Sequence, residues 1–401
     1  MRRLNAVTMA LAALRHKPLG TCLNLLLMAI GVAMMTFILS ASSQLDDGAM
    51  KDANGIDMVV GAKGSPLQLI LSSIYHIDIP TGNIPAAAQA ELEANPLVAE
   101  AIPLALGDSY QGYRIVGSTV EYIRHYGGQA ASGVPFGGSM QVVLGAEVAR
   151  RTKLAVGARF AGSHGLVAGG EVHVHAPYTV VGILQPTGTV LDWLIVTPVA
   201  SVWRVHETDP DEPHAHVNEA EHEVTALLVR YASPLAAISL PRWVNSHTRL
   251  QAAQPALESA KLFELVGVGA DVLRAIAAIV LAVACLSMFV ALYHALEERK
   301  TDLAILRALG APPRKLLLLL LTQGLALALG GAVLGWLLGH LGVGLLGVLM
   351  EGRQNLALSA WSIDPQEAWL LPAALLVGLT ASIVPAVRAY RTDIAATLAH
   401  S

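Results

Sequence analysis

The chain has 401 residues, of which 54% are hydrophobic and only 14% charged, and this balance, with a mean hydropathy of +0.54, excludes an ordinary soluble protein in favour of an integral membrane protein. A formal net charge of -4 and a pI near 6.4, without a basic face interleaved with aromatic residues, exclude a nucleic-acid binder. The two cysteines, Cys22 and Cys285, both fall in apolar runs and read as small packing residues, not as a disulfide or a metal pair.

In chain order, residues 1–18 form a basic amphipathic segment with Leu4, Val7, Leu11 and Leu14 on one face, expected at the cytoplasmic membrane surface before Pro18 turns the chain inward. Residues 19–41 are mostly apolar and long enough to cross a hydrocarbon core of roughly 30 Å. A basic stretch ahead of an apolar run also fits a secretory signal. The run is too long for that, and the SSQLDD that follows is a weak cleavage site, so a retained anchor is expected. From 42 to 268 glycine, proline, histidine and charge appear and no run is long enough to span, which defines a large water-exposed domain. Its short β-rich runs (56–60, 113–116, 140–144, 178–184, 194–196) alternate with short helical stretches at 85–94 and 147–154, an α+β pattern.

Residues 269–296 carry the second span. A charged connector follows at 297–315, in which Leu303, Ile305, Leu306 and Leu309 form an apolar stripe at helical spacing among Glu297, Glu298, Arg299, Lys300, Asp302 and Arg307, with a stop at Gly310. Such a helix, tied to two spans and apolar on one face, is built to press on a partner. Residues 316–350 form a third span longer than one crossing needs, so it must tilt, kink or project. Gly331, Gly335 and Gly339 recur along it every fourth residue and make a face on which another helix packs, in the same subunit or in a second copy. A short loop at 351–366, a fourth span at 367–387 that Pro385 is expected to break, and a charged tail at 388–401 complete the chain. Eleven Lys and Arg sit in the N-terminal segment, the connector and the tail, against one in the 351–366 loop. Both termini and the connector are therefore expected in the cytoplasm, with the large domain outside. The expected fold is an α-helical membrane protein with four transmembrane helices and a large α+β extracytoplasmic domain between the first and second.

No Gly-x4-Gly-Lys-Ser/Thr occurs, so nothing here cradles nucleotide phosphates in the P-loop manner; residues 61–65 (GAKGS) have the wrong spacing and read as a glycine turn. Neither a Gly-x-Ser-x-Gly elbow nor a His-Glu-x-x-His helix is present, and no enzyme is expected. One chemical cluster stands out. In the stretch 206–223, His206, His214, His216 and His222 lie among seven acidic residues, with His173 and His175 upstream. Neutral imidazoles suit zinc, copper and nickel, while the irregular spacing fits no closed tetrahedral site, so zinc binding and a plain solvated loop both stand as readings. Asn24 and His340 are polar within spans, each near one edge, where interfacial placement accounts for them.

The segment ERKTDLAILRALGAPPRKLLLLLLTQG (298–324) and the ending VPAVRAYRTDIAATL (384–398) resemble the FtsX-like or MacB-type permeases of ABC transporters, the type VII or mechanotransmission group. VVLGAEVARRTKLAVGARF (142–160) and YTVVGILQPTGTVLDWLIV (178–196) are similar to that family's periplasmic core domain. The resemblance implies a multi-pass protein of the bacterial inner membrane, with its first two span helices extended outward as a stalk. It also implies a homodimer of permease chains working with a separate ABC ATPase that holds ATP-Mg, no cofactor on this chain, and a periplasmic or outer-membrane partner. Residues 297–315 are then the expected coupling helix, with Leu306 and Leu309 filling the ATPase groove, Glu298 and Arg307 fixing register, and Arg299 and Leu303 also among the coupling residues. The pattern GIDMVVGAKGSPLQLILSSIYHIDIPTGNIP (55–85) departs from the macrolide-exporter branch. The expected function is therefore export or envelope work on a lipoprotein, peptide or small molecule. The alternative is an ABC-linked metal homeostasis component or a metal sensor using the His-rich loop.

Overall fold

The computed structural model describes residues 6–165, 172–173, 175–207, 222–298, 312–350 and 358–391. The described chain divides into a helical unit, drawn from residues up to 45 and from 266 onward, and an α+β unit over 46–265.

Among the described residues, a short helix at Ala6–His16 precedes four helices long and apolar enough to cross a membrane, Pro18–Ala53, Pro255–Glu298, Pro313–Met350 and a last one running to Arg391. The first two are longer than the roughly 20 residues a crossing requires. The third is one unbroken helix, so its surplus length is not relieved by a break. The fourth starts from a 3-10 turn at Pro365–Trp369, where Asp364 and Glu367 form a reciprocal capping box, and continues as Leu370–Arg391. Pro385, expected to break this span, lies inside the helix. Spanning helices tolerate proline because packed neighbours and local adjustments compensate for the lost hydrogen bond, and Pro385 is buried in the helical unit.

In the α+β unit the strands are β1 (Met58–Ala62), β2 (Ile84–Pro85), β3 (Val98–Tyr110), β4 (Tyr113–Ser118), β5 (Ala130–Gly133), β6 (Gln141–Leu144), β7 (Arg159–Phe160), β8 (Ser163–His164), β9 (Tyr178–Leu184), β10 (Ile195–Pro198), β11 (Glu223–Val224), β12 (Ala226–Tyr231) and β13 (Leu250–Ala253). The main sheet runs β13-β1-β12-β3-β4-β10-β6-β9-β5, with β7 paired to β9 and β8 to β3. Its pairings are antiparallel except β4 with β10 and β6 with β9. β3 is the spine. Its first half pairs with β12 and its second half with β4 and β8, so one 13-residue strand joins the two ends of the sheet.

Apolar cores cover both faces. One holds Ile102, Leu104, Val116, Tyr122 and Leu194; another holds Met58, Val60, Leu227, Leu240 and Val244; a third holds Ile115, Leu144, Phe160, Tyr178 and Val205. Of the glycine turn expected at 61–65, Gly61 and Ala62 belong to β1, paired on both sides, and only 63–65 bend into the helix Pro66–Ser73, which Ser65 caps by accepting from the Gln68 amide.

His76 is buried with left-handed backbone (φ 55°) and its Nε2 lies 2.9 Å from the Tyr122 hydroxyl. Burial, and then the nearby Arg114 guanidinium, hold its pKa well below the usual value. In the unfolded chain the ring protonates near pH 6.5, while in the fold it stays neutral well below that. The stability it leaves intact above pH 6.5 is therefore lost as pH falls, at up to about 1.4 kcal/mol per pH unit for one proton. Replacing His76 with Asn, which tolerates the left-handed backbone, should flatten the dependence of thermal unfolding on pH below 6.5 for the full chain in detergent. An unchanged slope would remove His76 from the acid response.

Candidate functional site

The third span helix is the hub of the helical unit. A Cβ built on Gly331 would fall 2.6 Å from Met28 Cβ, on Gly335 2.5 Å from the Ala29 carbonyl oxygen, and on Gly339 2.6 Å from Thr36 Cβ. The glycine face is thus occupied by the first span of the same chain, the intramolecular reading of the two. On another side, a Cβ on Gly324 would stand 2.7 Å from the Gly378 carbonyl oxygen of the fourth span. These approaches bring backbone almost against backbone, which only glycine permits.

At one end of this unit Glu367 is buried and accepts from Trp336 Nε1 at 2.8 Å, while His340 Nε2 lies 2.9 Å from the same oxygen. His340 is therefore an internal hydrogen-bonding residue at that end of the unit. Asn24 is also buried, with its amide nitrogen donating to the Gly20 carbonyl, and it lines a cavity of about 520 Å³ together with Leu14, Lys17, Leu296, Gln323 and Leu327. Where the second span ends, Glu298 pairs with Lys17, Glu297 lies 3.8 Å from Arg388, and the Arg388 guanidinium sits over the Tyr293 ring at 4.9 Å. Charges from the starts and ends of three span helices meet there. Of the expected coupling residues, Glu298 is described; Arg299, Leu303, Leu306, Arg307 and Leu309 lie outside the described residues.

The histidines divide. His214 and His216 lie outside the described residues, His175 is exposed, and His222 stacks on Trp203 with ring centroids 4.1 Å apart. His173 and His206 come together with two residues that the sequence pattern did not single out, Asp108 and His164. Asp108 sits in β3 where its register with β4 shifts between Leu106 and Ser109, directly across from His164 in β8. The irregularity turns its carboxylate out of the regular alternation. His173 is fixed by its own amide, which donates to the Gly162 carbonyl at 2.9 Å, and His206 lies in the last turn of the helix Val199–Glu207. Around Asp108 Oδ1 stand His173 Nε2 at 3.5 Å, His164 Nδ1 at 3.6 Å and His206 Nε2 at 4.0 Å. The three rings are mutually edge-on, with centroids 5.6–6.3 Å apart. Nearby, burial and then the Asp108 charge raise the Tyr178 hydroxyl pKa above its usual value. The sequence signal was faint: one acid in a long apolar strand, and one histidine upstream of a His-x-His pair.

Four helices long and apolar enough to cross a membrane, with an α+β domain between the first and second, define an integral membrane protein with a large inserted domain. A family model for the FtsX-like permease C-terminal region matches residues 274–394, and one for the MacB-like periplasmic core domain matches residues 21–239, more than half of the chain. The chain belongs to the FtsX/MacB-like family of ABC transporter permeases. Comparison with curated proteins gives no match. Among solved structures, the periplasmic region of MacB from Actinobacillus actinomycetemcomitans is 12% identical, covering 53% of this chain and 97% of its own at a TM-score of 0.35. The extracellular domain of YknZ, a noncanonic ABC-type transporter from Gram-positive bacteria, is 13% identical, covering 49% of this chain and 99% of its own at 0.31.

The glycine contacts separate two kinds of substitution. Gly335→Ala puts a methyl against the Ala29 carbonyl and should destabilise the helical unit by about 1–3 kcal/mol. Gly269→Ala, where a Cβ meets nothing within 4 Å, should be neutral or stabilise by up to about 1 kcal/mol through helix propensity. Thermal unfolding of both variants in the same detergent checks the difference in sign.

Proposed function

We propose that this chain is the permease subunit of an ABC system in which a separate ATPase, bound at 297–315 on the cytoplasmic side, drives motion of the periplasmic α+β domain. Two copies of the chain would work with two ATPase subunits. The observation that carries this reading is the helix Pro255–Glu298, 44 residues without a break, about 66 Å at 1.5 Å per residue. It begins directly after β13 of the inserted domain and ends at the first residues of the connector. A continuous helix transmits displacement along its axis with little loss, since its hydrogen bonds resist stretching. The charge cluster of Lys17, Glu297, Glu298 and Arg388 supports the same reading, because it ties the base of this helix to neighbouring spans. Energy passes between the ATPase and the domain only through contacts that differ between the two states, and the connector is the cytoplasmic segment bound to two spans.

In this mechanism no substrate crosses between the helices. The periplasmic domains move relative to one another and act on a lipoprotein, peptide or small molecule, or on an envelope partner. The family assignment does not favour the alternative of an ABC-linked metal homeostasis component or metal sensor.

Leu306 belongs to the apolar stripe of the connector. Replacing it with Asp sets a charge against the ATPase groove and should uncouple ATP hydrolysis from domain motion while leaving membrane insertion intact. Spin-label distances between the periplasmic domains of the assembled complex, with and without ATP, read this directly. A wild-type distance change in the variant would overturn the coupling role of 297–315, and a complex with a single permease copy at full stimulated activity would overturn the dimer.

A further inference from the structure

We infer that Asp108, His164, His173 and His206 form a binding site for one divalent late first-row transition metal, zinc in the first instance, within the α+β unit. The site is independent of the coupling mechanism proposed above, and it is not the His-rich tract as such, since two of its members lie outside that tract.

Three observations carry it. The first is the state of Asp108: its side chain is 1% exposed, and both carboxylate oxygens are buried with no hydrogen-bond partner among the described residues. A buried carboxylate without donors is unfavourable unless a cation meets it or it is neutralised, and the groups gathered around this one are imidazoles that can share a metal ion with it. The second is the spacing. Zinc bonds of about 2.0–2.1 Å to imidazole and carboxylate set neighbouring donor atoms of a tetrahedron about 3.4 Å apart. The three imidazole nitrogens stand 3.5, 3.6 and 4.0 Å from Asp108 Oδ1, and one donor atom each from Asp108, His164 and His206 lie within 4.8 Å of one another. His173 stands outside that group of three, and closing the group on an ion takes side-chain movements of up to about 1.4 Å, from 4.8 Å to the tetrahedral spacing. The third is the donor chemistry: several imidazoles and one carboxylate select zinc, copper, nickel or cobalt over calcium or magnesium, which take oxygen cages.

The four residues come from separate parts of the chain: Asp108 from β3, His164 from β8 that pairs with it, His173 held by its amide to Gly162, and His206 from the last turn of the helix Val199–Glu207. An ion here would crosslink β3, β8 and the helix Val199–Glu207. The rival account is that protonated histidines neutralise Asp108 without a metal, and the two accounts differ in what the site retains.

The test uses full-length protein in detergent, stripped with a chelator and titrated with zinc against a chromophoric competitor. The wild-type chain should take up one tightly held zinc at Asp108 and its histidines, and its thermal unfolding should shift upward with zinc concentration. Asp108→Asn and His206→Ala should weaken that zinc by more than the about 10–100-fold that loss of outer-shell partners costs metal sites. Asp108 is buried, so its variants could misfold; His164, with a side chain 56% exposed, supplies a variant (His164→Ala) that leaves the core intact and should lose the same zinc. Cobalt in place of zinc should give the intense visible bands of a four-coordinate site, lost in His164→Ala. Replacing His175, His214, His216 and His222 together should leave both the tight zinc and the cobalt spectrum in place. No tight zinc in the wild type, unchanged binding in a folded His164→Ala, or loss of binding only in the fourfold variant would each overturn the site.

Discussion

The helical unit depends on how closely backbones can approach. Lipid tails are as apolar as leucine, so burying leucine between spans gains little over leaving it in lipid, and association rests on dispersion, close contact and hydrogen bonds. The third span supplies that contact. Through Gly331, Gly335 and Gly339 it lies against Met28, Ala29 and Thr36 of the first span, and through Gly324 against Gly378 of the fourth. With two sides of one helix used in this way, the glycine spacing that could have marked a contact between copies is spent inside the chain. Any surface between copies must be drawn from other residues of the spans, many of which carry exposed leucine, valine and isoleucine.

In the α+β unit the corresponding constraint is β3. A strand of 13 residues that pairs with β12 in its first half and with β4 and β8 in its second changes register with β4 between Leu106 and Ser109. The place where regular pairing fails is the place where a carboxylate is turned toward three imidazoles.

Much of this was legible in the sequence. The four spans follow from long apolar runs, and strands such as Tyr178–Leu184 follow from β-branched residues bounded by proline and glycine. What escaped were elements whose local signals disagree with their state. β3 contains Pro103 and Gly107, which argue against a strand, yet it sits at the centre of the sheet because β12 and β8 pair with it on either half. The helix Ala236–His247 contains Pro241 and is held by burial of Leu240 and Val244. In each case tertiary packing overrode local propensity. The site was half legible for a related reason. Clustered histidines announce themselves in one dimension, and His173 and His206 were found that way; Asp108 is a single acid far off in the chain, and only strand register places it opposite His164.

The buried Glu367 differs in kind from the glycine contacts near it. Glycines set how near two helices can come, but a flat face leaves each helix free to rotate about its own axis at almost constant energy. Trp336 and His340, one turn apart on the third span, both converge on a single oxygen of Glu367, while its other oxygen accepts from the Asp364 amide at 3.3 Å. Directional bonds from two points on one helix to one point at the start of the next fix an angle as well as a distance. The fourth span therefore enters the bundle with its rotational phase already chosen, and the distance-setting glycines farther along need only preserve it.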